Sequence, residues 1–266
     1  QAQNVTWSRD GERIVVFDSN GRLHRWHGST GQPLPLAHPA QEPRPTHSQV
    51  EGFSFSIDRD GSILAPARDS GFLVRDTEGR VTLHLATDRS ASRALWTPDG
   101  RAAVVLVGAG VQRFDRSARV EWRSELESES TCLAMHPNGK RLLVALRSGV
   151  ILELDLGDGR ERARFTNPGG EVRSMAFQRG GQRLATGDGA GAIRLWTVDE
   201  WREVCTLFGS KARVAGLAFS PDGARLASAS NDSTARIWTL ADGTSTSLSG
   251  HTSLVSAVAF SPDGEL

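Results

Sequence analysis

The sequence predicts an all-β fold built from repeated four-stranded antiparallel sheets, and three observations predict it. One phrase returns seven times along the 266 residues: an apolar residue, a small polar pair, then Asp-Gly or a variant. Its final glycines stand at 11, 61, 100, 139, 181, 223 and 264, so the first interval is 50 residues and the other five lie between 39 and 42. Apolar residues alternate on both sides of the phrase with the two-residue period of strands, and no helix signal interrupts them.

Each part of the unit has a physical reason. The phrase reads Trp7-Ser-Arg-Asp-Gly11 at its first occurrence, Met135-His-Pro-Asn-Gly139 midway and Phe260-Ser-Pro-Asp-Gly264 at its last. In Phe219-Ser-Pro-Asp-Gly223, Pro221 presets φ for a tight turn, Asp222 favours the turn, and Gly223 accepts a positive φ. A first strand precedes it, with Val214, Leu217 and Phe219. A second follows at Leu226 to Ser230, whose small residues suit a sheet packed on both faces. Thr234 to Trp238 forms the third, and a fourth comes after Ala241-Asp-Gly243, near Thr244 to Leu248. The equivalent fourth strand of the first unit is expected near Gln32 to Leu36.

One thin sheet cannot bury two apolar faces by itself, whereas sheets stacked in a ring can. The prediction is therefore a β-propeller of six nearly complete four-stranded antiparallel blades plus a truncated seventh, as one domain over residues 1–266. Leu266 falls at the start of a second strand, so a larger parent protein is expected. A ring of roughly seven blades would take on the order of 35 further residues at this period.

The last units resemble the WD-repeat family. Gly250-His251 precedes the Phe-Ser-Pro-Asp-Gly phrase at the family's distance, and Leu195-Trp196 and Ile237-Trp238 end third strands. The resemblance is strong from about Glu171 and looser before it; the early units Trp7-Ser-Arg-Asp-Gly and Trp96-Thr-Pro-Asp-Gly are also similar to TolB-type propeller repeats, which share the architecture. In the WD family a His, an Asp, a Ser and the Trp form a hydrogen-bonded network inside a blade. Trp238, Asp232 and Ser228 match three of those positions, while Ser210 stands where the His belongs. His251 matches in a blade cut short, and His47 is one residue out of register with Asp69 as its partner. The resemblance implies a non-catalytic scaffold that binds other proteins.

Composition narrows the function classes. Thirty-one basic residues balance 31 acidic ones, so no long-range field draws the chain to nucleic acid or an anionic membrane. The longest apolar run, Ala102 to Val107, is too short to span a bilayer. Two cysteines, Cys132 and Cys205, make neither a disulfide framework nor a four-thiolate metal site, and both are expected reduced and buried in a cytoplasmic protein. Gly187-Asp-Gly-Ala-Gly191 resembles a phosphate loop, but an alternating strand follows it in place of a helix, so it is expected to be a hairpin turn. His24 and His27 point to opposite faces of a strand and cannot simply share a metal. No cofactor is expected, and no carboxylate spacing suggests acid–base work.

The expected function is a protein–protein interaction scaffold, binding other proteins or other domains of its parent through the top face and rim loops. The alternative is a propeller enzyme or small-ligand sensor with a site in the central channel. Alignment to Val255 places Glu51, Ser90, Glu129, Glu171 and Arg213 on that rim, with Phe53 and Arg173 two positions later. Lys211 and Asn231 lie in the corresponding loops of the sixth unit. The proline-rich excess in the first long interval, Ala37 to Pro45, is either a neutral insertion or a further rim candidate, since stiff loops project from a rigid scaffold.

Overall fold

The computed structural model describes residues 2–8, 11–18, 23–35, 56–58, 60–67, 71–76 and 80–264. Its strands form six antiparallel sheets in two compact units, Gln1–Glu129 and Ser130–Leu266. Among the described residues no helix is long and apolar enough to cross a membrane.

The first unit holds three sheets. β1 (Ala2–Trp7), β2 (Arg13–Asp18) and β3 (Leu23–His27) make the first. β4 (Ser56–Ile57), β5 (Ile63–Pro66), β6 (Phe72–Arg75) and β7 (Val81–Leu85) make the second. β8 (Ala91–Trp96), β9 (Ala102–Val107), β10 (Gly110–Asp115) and β11 (Val120–Glu125) make the third. Among the described residues the expected fourth strand of the first sheet is reduced to one bridge between Trp26 and Pro33. Pro33 and Pro35 have no N–H to donate, so that segment cannot build a ladder.

The second unit repeats the plan three times. Its sheets are β12 (Ser130–Met135), β13 (Arg141–Leu146), β14 (Val150–Asp155) and β15 (Glu161–Thr166); then β16 (Val172–Phe177), β17 (Arg183–Asp188), β18 (Ile193–Thr197) and β19 (Glu203–Leu207). The last is β20 (Val214–Phe219), β21 (Arg225–Ser230), β22 (Ala235–Thr239) and β23 (Ser245–Leu248). First strands lie side by side, β12 next to β16 and β16 next to β20, which is how propeller blades meet. Each of these three first strands shifts register just after its opening residue, a recurrent bulge that the repeat pattern did not disclose.

The core lies between sheets. Ala134, Leu143 and Ile151 of the fourth sheet pack on Leu184 and Trp196 of the fifth. Ile193, Leu195 and Leu207 of the fifth pack in turn on Leu226 and Trp238 of the sixth. In the first unit Leu64, Phe72 and Leu85 meet Ala94, Val105 and Phe114 in the same way. Hydrogen bonds tie neighbours at the start of the first strands, from Thr131 Oγ1 to Val172 O at 2.6 Å and from Ser174 Oγ to Val214 O at 3.0 Å.

The repeated phrase forms the turn it was expected to form. Its seven final glycines all have φ between +68° and +81°. Gly223 N donates to Ser220 O at 2.8 Å, and Ser220 Oγ accepts from Arg225 N at 2.9 Å, closing the loop. These turns also clasp the next sheet: His136 Nε2 lies 3.1 Å from Gly181 O, and Gln178 Nε2 donates to Gly223 O at 3.2 Å. The seventh unit keeps only its turn, with Gly264 N on Ser261 O at 3.0 Å, and no strand forms there among the described residues. Val255 still packs on Ala229 and Ala235, and its N–H donates to Ser230 O at 3.1 Å.

Cysteine burial differs from expectation at one position. Cys132 is buried, but Cys205 is exposed. Cys205 sits on β19, the outermost strand of its sheet, and neighbouring Glu203, Val204 and Thr206 are no better than half-covered.

Candidate protein-binding rim

The rim is built where connections between sheets meet the turns between second and third strands. In the fifth sheet Asp188 ends β17 and governs the turn, its Oδ1 accepting from Ala190 N at 3.0 Å and Ala192 N at 2.9 Å. Its other oxygen takes Arg194 Nη1 at 2.7 Å, in a pair that is almost fully buried. Gly191, at φ +97°, comes so close to Ser210 O that a side chain would collide with the connection to the sixth sheet. Gly187 to Gly191 is therefore a hairpin turn, as its sequence context implied.

Expected rim residues of the second unit fall into two groups. Glu171 and Arg173 pair directly at 2.7 Å, and Arg147, in the turn between β13 and β14, approaches Glu171 at 3.8 Å. Both Glu171 and Arg173 are half-buried, and Glu171 Oε1 accepts no hydrogen bond. The second group gathers at the sixth sheet, where Lys211 N donates to Asp232 Oδ2 at 2.8 Å and Asn231 N donates to Arg213 O at 3.0 Å. Burial pushes the Asp232 carboxyl up, but hydrogen bonds from Thr234 and from Lys211 N outweigh it and hold it below the ordinary carboxylate value. In the first unit Ser90 and Glu129 are exposed, each ahead of a first strand. Glu51, Phe53, His47, Asp69 and the Ala37 to Pro45 insertion lie outside the described residues.

Sequence reasoning missed Arg147, Asp188 and Arg194, since their roles depend on which turn faces which connection. It also missed a polar chain inside the fifth sheet. Trp196 Nε1 donates to Thr186 Oγ1 at 3.0 Å, Thr186 Oγ1 reaches Asn167 Oδ1 at 3.5 Å, and Asn167 Nδ2 donates to Gly170 O at 2.9 Å. In the sixth sheet the expected bond from Trp238 Nε1 to Ser228 Oγ is present at 2.9 Å, while Ser210 Oγ is buried with no hydrogen-bond partner.

Buried ionisable groups elsewhere serve the scaffold. Asp58 receives Arg116, whose guanidinium also stacks 4.4 Å from the Trp96 ring. Glu153 accepts from Trp201 Nε1 at 2.9 Å, and Trp201 in turn stacks on Phe165 at 4.6 Å. Among the described residues no group of three His, Cys, Asp or Glu converges as a metal site would require.

The family model for the WD domain, G-beta repeat, matches residues 159–197, 201–239 and 243–266. Residues 159–266 are WD repeats. The first match begins in the turn before β15 and ends with β18, so one WD repeat contributes the outer strand of one sheet and three strands of the next. This offset ties neighbouring sheets covalently in the order in which they stack. Asn167 and Thr186 of the first matched WD repeat stand in for the family's His and Ser beside Trp196. No curated protein gave a match to the chain.

Proposed function

We propose that this WD-repeat chain is a non-catalytic interaction scaffold that binds other proteins, or other domains of its parent, through the loop end of its sheets. The observation that carries the reading is the mixed-charge surface of Arg147, Glu171 and Arg173 together with Lys211, Asn231 and Asp232 on one unit. WD-repeat propellers commonly mediate protein interactions, and alternating charges held by turns suit a specific, polar contact. Every buried carboxylate described above is committed to an arginine, an indole or a turn, which favours a scaffold over acid–base chemistry.

The test is a charge exchange. Glu171→Arg combined with Arg173→Glu keeps an attractive pair and reverses the charge presented at each position. Affinity capture with the intact protein as bait is expected to lose its partners at an unchanged melting temperature. Undiminished recovery of the same partners would remove Glu171 and Arg173 from the binding surface.

A further inference from the structure

The fifth and sixth sheets carry an arginine at the same place in their third strands, but in different surroundings. Arg194 of β18 pairs with Asp188 at 2.7 Å and with Glu203 at 3.7 Å, and its side chain is only 12% exposed. Strand register locates the matching positions around Arg236 of β22. Asp188 stands opposite Val172 as Ser230 stands opposite Val214. Glu203 stands opposite Trp196 as Ser245 stands opposite Trp238. Both carboxylates of the fifth sheet are thus serines in the sixth, while the guanidinium is kept.

Arg236 is half-buried, and among the described residues no carboxylate pairs with it. Its Nη1 donates to Ser245 Oγ at 3.4 Å, whereas its Nη2 makes no bond and stays open to water. Gly209, in the connection from β19 to β20, covers the stem: a methyl there would stand 3.4 Å from Arg236 Nε and 2.8 Å from the Trp238 ring. A cation partly shielded from water and lacking a counter-charge gains more from an anion than a freely solvated arginine does. Ser245 and Ser247 are exposed beside it, Ser247 directly across from Arg236 on the same face of the sheet. Ser245 accepts from Nη1 and so keeps its own hydroxyl proton for a visitor. Asp232, in the adjoining turn, is committed to Lys211 N and Thr234 N and opposes a second negative charge. A carboxylate, with one charge and two acceptor oxygens, suits these surroundings better than a phosphomonoester with nearly two charges. An ammonium would meet the guanidinium.

We propose that Arg236 is an open anion site that receives the carboxylate of an Asp or Glu side chain from a partner protein, one oxygen accepting from Nη2 and the other from the Ser245 or Ser247 hydroxyl. The proposal rests on the reading that the loop end meets a protein partner, but the site itself is tested without one. In the full chain labelled with ¹⁵N, the Arg236 and Arg194 side-chain N–H resonances are followed by NMR at constant ionic strength during titration with acetate, methyl phosphate and methylammonium. Acetate is expected to shift Arg236 saturably, with a Kd on the order of 50 mM for so small a probe, and to leave the already neutralised Arg194 in place. Methyl phosphate is expected to bind no more tightly than acetate, and methylammonium not at all. Ser245→Glu restores an acid of the fifth sheet at an exposed position and is expected to weaken acetate several-fold with Arg236 still present. The same variant is expected to lower partner recovery in affinity capture, as is Arg236→Gln. Equal shifts of Arg194 and Arg236, tighter binding of methyl phosphate, no saturation by acetate, or undiminished capture by Ser245→Glu would overturn the proposal. Acetate saturation and reduced capture by Ser245→Glu, beside undiminished capture by the charge-exchanged variant, would support the site and remove only Glu171 and Arg173.

Discussion

At the scale of single residues, the polar chain from Trp196 through Thr186 to Asn167 shows how a divergent WD repeat keeps its internal staple. The indole N–H is buried against the neighbouring sheet and must find an acceptor. Thr186 supplies one, and Asn167, itself 1% exposed, bonds Thr186 and the Gly170 carbonyl in place of an imidazole. Thr186→Val removes that acceptor while keeping the volume, and is expected to cost about 1–3 kcal/mol in chemical denaturation. Trp196→Phe in the same background adds less than it costs alone, because the bond is already gone; strictly additive effects would show that the pair is not coupled. Trp238 and Ser228 were legible as such a pair because both sit at family positions. Asn167 was not, because it precedes β16 by one residue more than His251 precedes Val255, and only the folded chain brings it to Thr186.

At the scale of elements, the turn that closes each first hairpin is both a local signal and an intersheet contact. Its glycine needs a left-handed backbone, which any residue with a Cβ adopts at a cost of about 1–2 kcal/mol. Gly181 of such a turn and Gly170, a left-handed glycine of the connection ahead of β16, separate the two roles. Gly170, at φ +78°, has open space where a side chain would go. Gly181, at φ +76°, would place a methyl 2.5 Å from the His136 ring. Gly170→Ala is therefore expected to lose only the conformational term, whereas Gly181→Ala loses about 1 kcal/mol more by displacing the clasp. Comparing their denaturation midpoints checks this, and equal losses would mean that the clasp gives way freely. Gly181 was readable from spacing alone, whereas Gly170, in the connection ahead of β16, belongs to no periodic phrase. The contact from His136 to Gly181 O was not, since a residue 45 positions away enters it only when two sheets stack.

At the scale of the whole molecule, aspartates that organise turns tie stability to acid. Asp99 is held below its ordinary value by the Thr97 hydroxyl, Asp115 by Ser117 and Asp222 by Ser220. Asp155 is lowered chiefly by Gly157 N, and Asp242 by Thr244 N. A carboxylate whose folded value lies below its unfolded one, about 3.9, stabilises the fold above that pH and loses the contribution as pH falls through the folded value. Unfolding free energy is thus expected to hold steady, as far as these groups decide it, from about pH 7 to pH 5 and to decline below about pH 4. Asp222→Asn with Asp242→Asn is expected to flatten that decline; an unchanged acid limb would mean that other groups set it. With 31 acidic and 31 basic residues, no bulk repulsion masks the effect near neutrality.

The sequence by itself determined the strand plan of the repeated unit, the turn positions and the small-residue second strand of the sixth sheet, because these follow from interactions within a few residues and from a period that repeats them. Tertiary structure alone decided which side chains complete one another: Arg116 with Asp58, Glu171 between Arg147 and Arg173, and Asn167 with Thr186. Those partners come from different strands and turns, and their distances exist only once each sheet has covered its apolar face with the next.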